Sequence, residues 1–400
     1  MLWRLLVLWS GCRAAPDGIG RHRPHPPVPH PPVDTALPAP PTAETGTTTP
    51  PPPPFVVDDR VISQVSVLDP EFDDDPPRIL WAEPDGSRVY VADMDPLTGE
   101  RVGEPVIAAT DVMPYDVNHN GPEWMRMPSG PALLYSSDQG ATRWVTVAEE
   151  TAPGTWTETR VVEGKAAFGT PDDRPVPTLS YLVGAAAVNH WTRVDASASG
   201  VFMPMRGHYR SWFVPGTDWL VFTDRDEDGL WQPYRLDLDS GVTEPLAVCS
   251  LGCVHGNLAW SEALSDWLLV AIQLDGEDQP ARLQVFRQDG GDWRVIRTIE
   301  PPERGDLRWV LSPELFSFGG QLWVAYQLST DPTFGNLPTE IWLVGVEPDN
   351  LVERRLSDEV PMVRKDPEYL VTPDTVWVYY SEVRGDRRFL HVCASGLHAG

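Results

Sequence analysis

The chain has 400 residues, with 58 Asp and Glu against 31 Lys and Arg, and its net charge at pH 7 is −27. Because neutralising phosphates requires clustered Lys and Arg, this excess of carboxylates excludes nucleic acid as a partner. Hydrophobic residues make up 41% of the chain, which is enough to bury a large core, and one domain can use most of the length.

Residues 1–12 predict an export signal. Arg4 precedes a short apolar run from Leu5 to Trp9, and Ser10-Gly11-Cys12 follows. The run is too short to span a bilayer, which takes about 20 apolar residues. Its end resembles a bacterial lipobox, which implies that Cys12 is lipidated and becomes the mature N-terminus. The alternative is a generic signal peptide with an incidental Cys, and both interpretations predict export.

Residues 13–55 are dominated by proline and include a run of five prolines. Proline fixes φ and lacks an N–H, so such a segment stays extended and builds no core of its own. We therefore predict a disordered tether that holds the following domain away from a membrane.

A four-residue motif recurs along the rest of the chain: a small or acidic residue, then Pro-Glu, then an aromatic residue or Leu. Its copies are Asp69-Pro70-Glu71-Phe72, Gly121-Pro122-Glu123-Trp124, Ser312-Pro313-Glu314-Leu315 and Asp366-Pro367-Glu368-Tyr369. Each copy precedes a segment with strong strand propensity, a turn and another strand. A repeat of strands and turns with a period of roughly 40 to 55 residues predicts a β-propeller.

Two further units share the strand pattern without Pro-Glu, at residues 211–238 and 258–286, and a compressed seventh unit lies around residues 178–205. No stretch shows a sustained helical period, so we expect very little helix. The sequence therefore predicts an all-β domain over residues 56–397, a propeller with six or seven blades.

The repeated glutamates are the one plausible catalytic set. The first strand of each propeller blade lines the central channel, so Glu71, Glu123, Glu314 and Glu368 are expected to converge. Two carboxylates on such a channel are what glycoside hydrolysis requires, one as acid and one as base or nucleophile. A unit repeated in four blades is more economically explained as a structural device, because catalytic residues with different tasks should break the repeat. We therefore assign no residue a catalytic role from sequence.

A local cluster of His, Arg and aromatic residues breaks the repeat and is a candidate binding site for an anionic or sugar ligand. Its members are His190, Trp191, Arg206, His208, Tyr209 and Arg210. The alternative is a packing seam between two blades.

The segment from Asp224 to Gly229 matches the D-x-D-x-D-G start of a calcium loop, so Asp224, Asp226 and Asp228 are candidate metal ligands. The Glu expected at the twelfth loop position is absent, and the alternative is an acidic hairpin turn. A second run, from Asp116 to Gly121, fits the calcium pattern with fewer charges.

Cys249 and Cys253 are close enough in sequence to form a small disulfide loop, which suits an exported protein. A zinc site formed by these two cysteines, His255 and Cys393 is the alternative. With the disulfide, Cys393 has no evident partner.

The units from Asp69 to Asp95 and from Trp212 to Gly241 resemble those of TolB-like exported bacterial propellers. The resemblance implies the fold and an envelope location, either as a periplasmic or outer-membrane lipoprotein or at the cell surface. We expect a monomeric, membrane-tethered module that binds an envelope protein or a glycan, with calcium as its possible cofactor. The alternatives are a glycoside hydrolase and a purely structural envelope protein.

Overall fold

The computed structural model describes residues 55–399 except 64–65, 84–86, 114–120, 140–141, 185–187, 204–210, 248 and 334. These residues form seven four-stranded antiparallel sheets, which are the blades of a seven-bladed propeller. The all-β propeller is confirmed, and the compressed unit is a full blade. No helix in this part of the chain is long and apolar enough to cross a membrane.

The first strand, β1 (Asp59–Val61), belongs to the last blade, and each other blade consists of consecutive strands. Blades 1 to 3 contain β2 Leu68–Asp74, β3 Pro77–Ala82, β4 Arg88–Met94 and β5 Arg101–Thr110; β6 Glu123–Met127, β7 Gly130–Gln139, β8 Thr142–Ala152 and β9 Thr155–Glu163; and β10 Lys165–Gly169, β11 Thr178–Val183, β12 Val188–Arg193 and β13 Ser199–Met203.

Blades 4 to 7 continue the same order from the innermost strand outwards. They contain β14 Trp212–Phe213, β15 Trp219–Arg225, β16 Trp231–Asp237 and β17 Thr243–Pro245; β18 Cys253–Ser261, β19 Asp266–Leu274, β20 Pro280–Asp289 and β21 Asp292–Ile299; β22 Trp309–Phe318, β23 Gln321–Ser329, β24 Thr339–Gly345 and β25 Glu353–Arg355; and β26 Val363–Val371, β27 Thr375–Arg384 and β28 Arg387–His398.

The hydrophobic core lies between neighbouring blades. One cluster joins Leu268 and Val270 of blade 5 to Val324 and Tyr326 of blade 6, all of them buried. The second strand of each blade is apolar on both faces because it packs against a blade on either side. This explains the dense Val, Leu and aromatic runs that follow each Pro-Glu motif.

The Pro-Glu motif forms a bulge in the innermost strand. The pairing of β2 with β3 shifts between Leu68 and Glu71, and the same shift occurs in β22 and β26. The residue before the proline has a positive φ, which is 52° at Asp69 and 50° at Asp366. Proline cannot donate to a strand ladder, so it occupies the bulge, where no ladder bond is lost.

The ring closes through the N-terminal strand. β1 pairs with β28, placing Asp59 opposite Cys393, so the first strand of the domain becomes the outer strand of the last blade. The buried Asp59 carboxylate accepts hydrogen bonds from the Tyr380 hydroxyl at 2.6 Å and the Asp358 amide at 3.0 Å, and it contacts His391 Nδ1 at 2.8 Å. Sequence analysis did not identify this strand.

We use Asp59→Asn to test the closure. Burial raises the pKa of Asp59, but the bonds from His391, Tyr380 and the Asp358 amide lower it more, so the net pKa is below its usual value. A depressed pKa contributes stability above the unfolded pKa of about 3.9 and loses it as pH falls through the folded pKa. Asp59→Asn should lower the unfolding free energy by about 2–4 kcal/mol at pH 7, with a smaller deficit below about pH 4.

Urea unfolding at a series of pH values measures this deficit. Asp58→Asn is the matched control, because its half-exposed carboxylate pairs with Arg60 at 3.2 Å and should contribute at most about 1 kcal/mol. Equal effects of the two substitutions would show that the buried carboxylate does not hold the closing strand.

Candidate ligand-binding site

A cavity of about 280 Å³ lies on the propeller axis, lined by innermost-strand residues and Pro171, with contributions from six of the seven blades. All four motif glutamates line it, which brings together Glu71, Glu123, Glu314 and Glu368 as expected. The other principal lining side chains are acidic or aromatic: Phe72, Asp73, Asp74, Trp124, Phe168, Trp212, Phe213 and Tyr369.

The cavity extends from the glutamates towards the turns that join first and second strands. Asp73 and Asp74 end β2 at such a turn, and Arg126 lies one residue before the end of β6. Because all inner strands of a propeller run in the same direction along the axis, these turns share one face. A ligand would enter from that face.

Consecutive residues of one inner strand reach the cavity. In a regular strand successive side chains point to opposite faces, yet Glu71, Phe72, Asp73 and Asp74 all line the cavity. These four residues follow the bulge and pair with β3 in regular register. The inner strand therefore presents more functional side chains to the axis than alternation predicts.

Burial and neighbouring carboxylates raise the pKa of acidic side chains in the cavity. Burial raises the pKa of Glu71 well above its usual value, and the nearby charges of Glu123, Glu368, Asp69 and Glu314 raise it further. Burial raises the pKa of Asp73 to about 6, although the Arg126 guanidinium beside it acts in the opposite direction. A proton is therefore held more tightly at this site than on an exposed carboxyl.

Arg126 is the one basic side chain among the described residues that line the cavity. Its guanidinium pairs with Asp73 and donates a hydrogen bond to the Asp75 carbonyl at 2.8 Å. These two contacts hold it at the turn end of the cavity, close to the shared face.

The aromatic walls are fixed by packing. Phe72 stacks on Tyr379 with 3.9 Å between ring centroids, and Phe168 stacks on Trp212 at 5.6 Å. Trp124 Nε1 donates a hydrogen bond to the Glu71 carbonyl at 3.2 Å. The rings are thus held in place before any ligand arrives, which lowers the entropy lost on binding.

Sequence reasoning missed the aromatic residues and the two aspartates of this cavity. Phe72, Trp124 and Tyr369 each follow a motif glutamate directly, so the motif itself held the signal. Phe168 and Trp212 lie in blades without the motif. Any catalytic role of the four glutamates stays a prediction.

The His and Arg cluster is only partly described. Trp191 is buried between blades 3 and 4 with Phe213 and Leu220. His190 lies beside Tyr181, with 5.3 Å between the centroids of the two rings. Trp191 and His190 are both on β12, the third strand of its blade, away from the axis. The other predicted members, Arg206, His208, Tyr209 and Arg210, lie outside the described residues.

The acidic segment that suggests calcium joins β15 to β16. Asp226 accepts hydrogen bonds from the amides of Asp228 and Leu230, at 3.0 and 2.9 Å, and from the Gln232 side chain at 3.1 Å. In the described parts of the chain, no three His, Cys, Asp or Glu side chains are grouped so that they could hold a metal ion. Calcium at Asp224, Asp226 and Asp228 stays a prediction, and most of the second run, residues 116–120, is not described.

Cys249 and Cys253 form a disulfide, with 2.02 Å between the sulfur atoms. The predicted disulfide is confirmed, and the zinc alternative is wrong because both thiols are consumed. The bridge joins the end of blade 4 to the start of β18. Cys393 is a buried free cysteine in the core between blades 6 and 7.

No protein-family model and no curated protein matches the chain. Among solved structures, an oligogalacturonate lyase in complex with manganese is 13% identical over 85% of this chain and 96% of that one, with a TM-score of 0.52. The Dos1 propeller is 7% identical over 86% of this chain and 95% of that one, with a TM-score of 0.51.

TolB from Acinetobacter baumannii also matches, at 13% identity over 80% of this chain and 79% of that one, with a TM-score of 0.39. At such identities these likenesses concern the fold alone. The expected propeller fold is confirmed at that level, and the Dos1 propeller shares it.

The calcium prediction can be separated from the structural role of Asp226. Asp275 in blade 5 accepts the same pair of amide bonds, from Glu277 at 2.8 Å and Gln279 at 3.0 Å, without the D-x-D-x-D-G pattern. Asp226→Ala and Asp275→Ala should each lower the unfolding free energy by about 1–2 kcal/mol through lost turn bonds.

Millimolar calcium should raise the melting temperature of the wild type and of Asp275→Ala, but not of Asp226→Ala, because binding to the native state stabilises it. Thermal unfolding with calcium or with a chelator measures this. If calcium changes none of the three melting temperatures, the loop is an ordinary acidic turn.

Proposed function

We propose that this chain is an exported, membrane-tethered β-propeller that binds a protein or glycan ligand in its axial cavity. The observation that carries the proposal is the convergence of four glutamates and several fixed aromatic rings on one cavity, from innermost strands of different blades. A concave site in which fixed aromatic rings and polar groups converge is a common form of ligand site.

Structural packing alone does not explain this composition. A purely structural channel would be stable with apolar or neutral side chains, whereas grouping buried carboxylates raises the pKa of Glu71 and costs stability. Carboxyl groups whose pKa is strongly raised by burial and by nearby charges in a cavity are typical of functional sites. This argument favours the binding module over the structural envelope protein.

Glycoside hydrolysis is the second candidate, and one observation favours it. Glu71 has a raised pKa beside carboxylates in other blades, and hydrolysis requires one carboxyl that keeps its proton near a second that is ionised. Binding requires no such division of roles, so the two candidates differ in whether turnover occurs.

A glycan array read for binding and for hydrolysis tests both candidates on the mature protein. Glu123→Gln and Glu368→Gln should each weaken binding about tenfold, the loss expected for one charge-assisted hydrogen bond. Glu277→Gln is the control, because Glu277 lies exposed in the β19–β20 turn.

Turnover in the wild type that disappears in either cavity variant would assign the chain to the glycosidases. Binding that is equal in all four proteins would place the ligand elsewhere. If no glycan binds, the same variants are compared for binding to extracted envelope proteins, and a lack of any cavity-dependent binding there would favour the structural role.

The tether and the lipid anchor are proposed from the sequence, and the disulfide between Cys249 and Cys253 is compatible with an oxidising compartment. Cys12→Ser should move the protein from the membrane fraction to the soluble extracytoplasmic fraction, because it removes the acylated thiol. Cys393→Ser is the control for loss of a cysteine. Retention of Cys12→Ser in the membrane would contradict lipidation at this residue.

A further inference from the structure

The described side chains that line the axial cavity carry a strong imbalance of charge. Six are carboxylates, namely Glu71, Asp73, Asp74, Glu123, Glu314 and Glu368, and Arg126 is the one cation. Arg126 is engaged by Asp73 and the Asp75 carbonyl at the turn end. The four glutamates therefore repel one another when ionised, and a cation bound among them would relieve that repulsion.

One buried oxygen in the cavity wall points independently to a missing donor. The Asp73 side chain is 6% exposed, and its Oδ1 accepts from Arg126 and from the Asp75 amide. Its Oδ2 is buried and accepts no hydrogen bond from the residues that the structure describes. Buried carboxylate oxygens are nearly always hydrogen-bonded, so this wall has the capacity for a further donor.

The aromatic walls add a second preference for positive charge. Trp124, Phe168 and Trp212 line the same cavity as the glutamates, and the face of an aromatic ring attracts a cation. The same rings can pack against an alkyl chain. The walls thus suit a ligand that is apolar along its length and positively charged at its tip.

The size and symmetry of the cavity narrow the choice of cation. At about 280 Å³ the cavity is just below the range of roughly 300–1,000 Å³ found for drug-sized ligands, so it suits a single side chain. Its glutamates approach the axis from four blades. An ammonium has three donors on a compact head and can address several carboxylates around an axis, whereas a guanidinium is a planar fork that suits one.

We infer that the cavity binds the ammonium group of a lysine side chain presented by a protein partner, an inference that rests on the axial cavity being the binding site. The alkyl stem passes the aromatic walls from the turn face, and the head reaches the glutamates. Arg126 competes with the ligand for negative charge near the entrance.

The test uses a five-residue peptide, acetyl-Gly-Gly-Lys-Gly-Gly-amide, titrated into the full mature protein by calorimetry at low salt. Two comparison ligands are the same peptide with ε-acetyl-lysine or with arginine in place of lysine. The third is the amino sugar glucosamine. The lysine peptide should bind about tenfold or more tightly than the acetylated peptide, which keeps the shape and loses the charge. Added salt should weaken binding of the lysine peptide, because it screens the charges.

Removing an acidic side chain from the cavity and removing its basic side chain should change the affinity for the lysine peptide in opposite directions. Glu368→Gln should weaken binding of the lysine peptide about tenfold, because it removes one charge-assisted bond. Arg126→Gln should strengthen the same binding, because it removes the competing cation. Glu277→Gln on the surface should change nothing. Loss of packing alone would weaken binding in both cavity variants, and unchanged near-ultraviolet circular dichroism shows that each variant is folded.

Three results would overturn the inference: equal affinity for the lysine and acetyl-lysine peptides, tighter binding of arginine or glucosamine than of lysine, or weaker binding in Arg126→Gln. If the lysine peptide fails while another ligand binds in a manner that depends on Glu123 and Glu368, only the cation preference is wrong. If no ligand depends on those glutamates, the proposed binding site fails as well.

Discussion

Closure of the ring by its own N-terminal strand is the constraint on which the axial cavity depends. Each blade contributes an inner strand to the axis, and those strands meet only if the seventh blade joins the first. The three residues of β1 complete that blade, with the Asp59 carboxylate buried against Tyr380 and His391. Because the chain continues from β1 into β2, this pairing ties the last blade to the first.

The inner-strand bulge connects stability with function. Proline and the left-handed residue before it set the bulge, and the glutamate that follows turns towards the axis. Blade 5 has the same shift between Val254 and Asn257, with φ of 53° at His255, but Asn stands where Glu stands elsewhere. The bulge thus forms without a glutamate after it. The acidic side chains at the axis are therefore a second feature of the motif, separate from its backbone conformation.

The fold was predictable because the motif repeats at propeller spacing and marks four inner strands. β1 was not, since three residues after a proline-rich segment carry no measurable period. Convergence of the glutamates followed from the fold, but Asp73, Phe168 and Trp212 could not be placed at the cavity. Asp73 departs from strict alternation, and the other two lie in blades without the motif. Asp226 fits a metal pattern in sequence, yet its carboxylate also accepts bonds from its own turn, a role that composition cannot distinguish.

The short pairing of β1 with β28 also has a mechanical meaning. Any pull on the chain before Asp59 is transmitted first to a ladder of three residue pairs, whereas the strands inside the blades are covered on both sides. The buried Asp59 side chain resists this force, because sliding β1 along β28 would break the hydrogen bonds that its carboxylate accepts from Tyr380 and the Asp358 amide. Under tension β1 would separate from the outer edge of the last blade before the strands inside the blades separate.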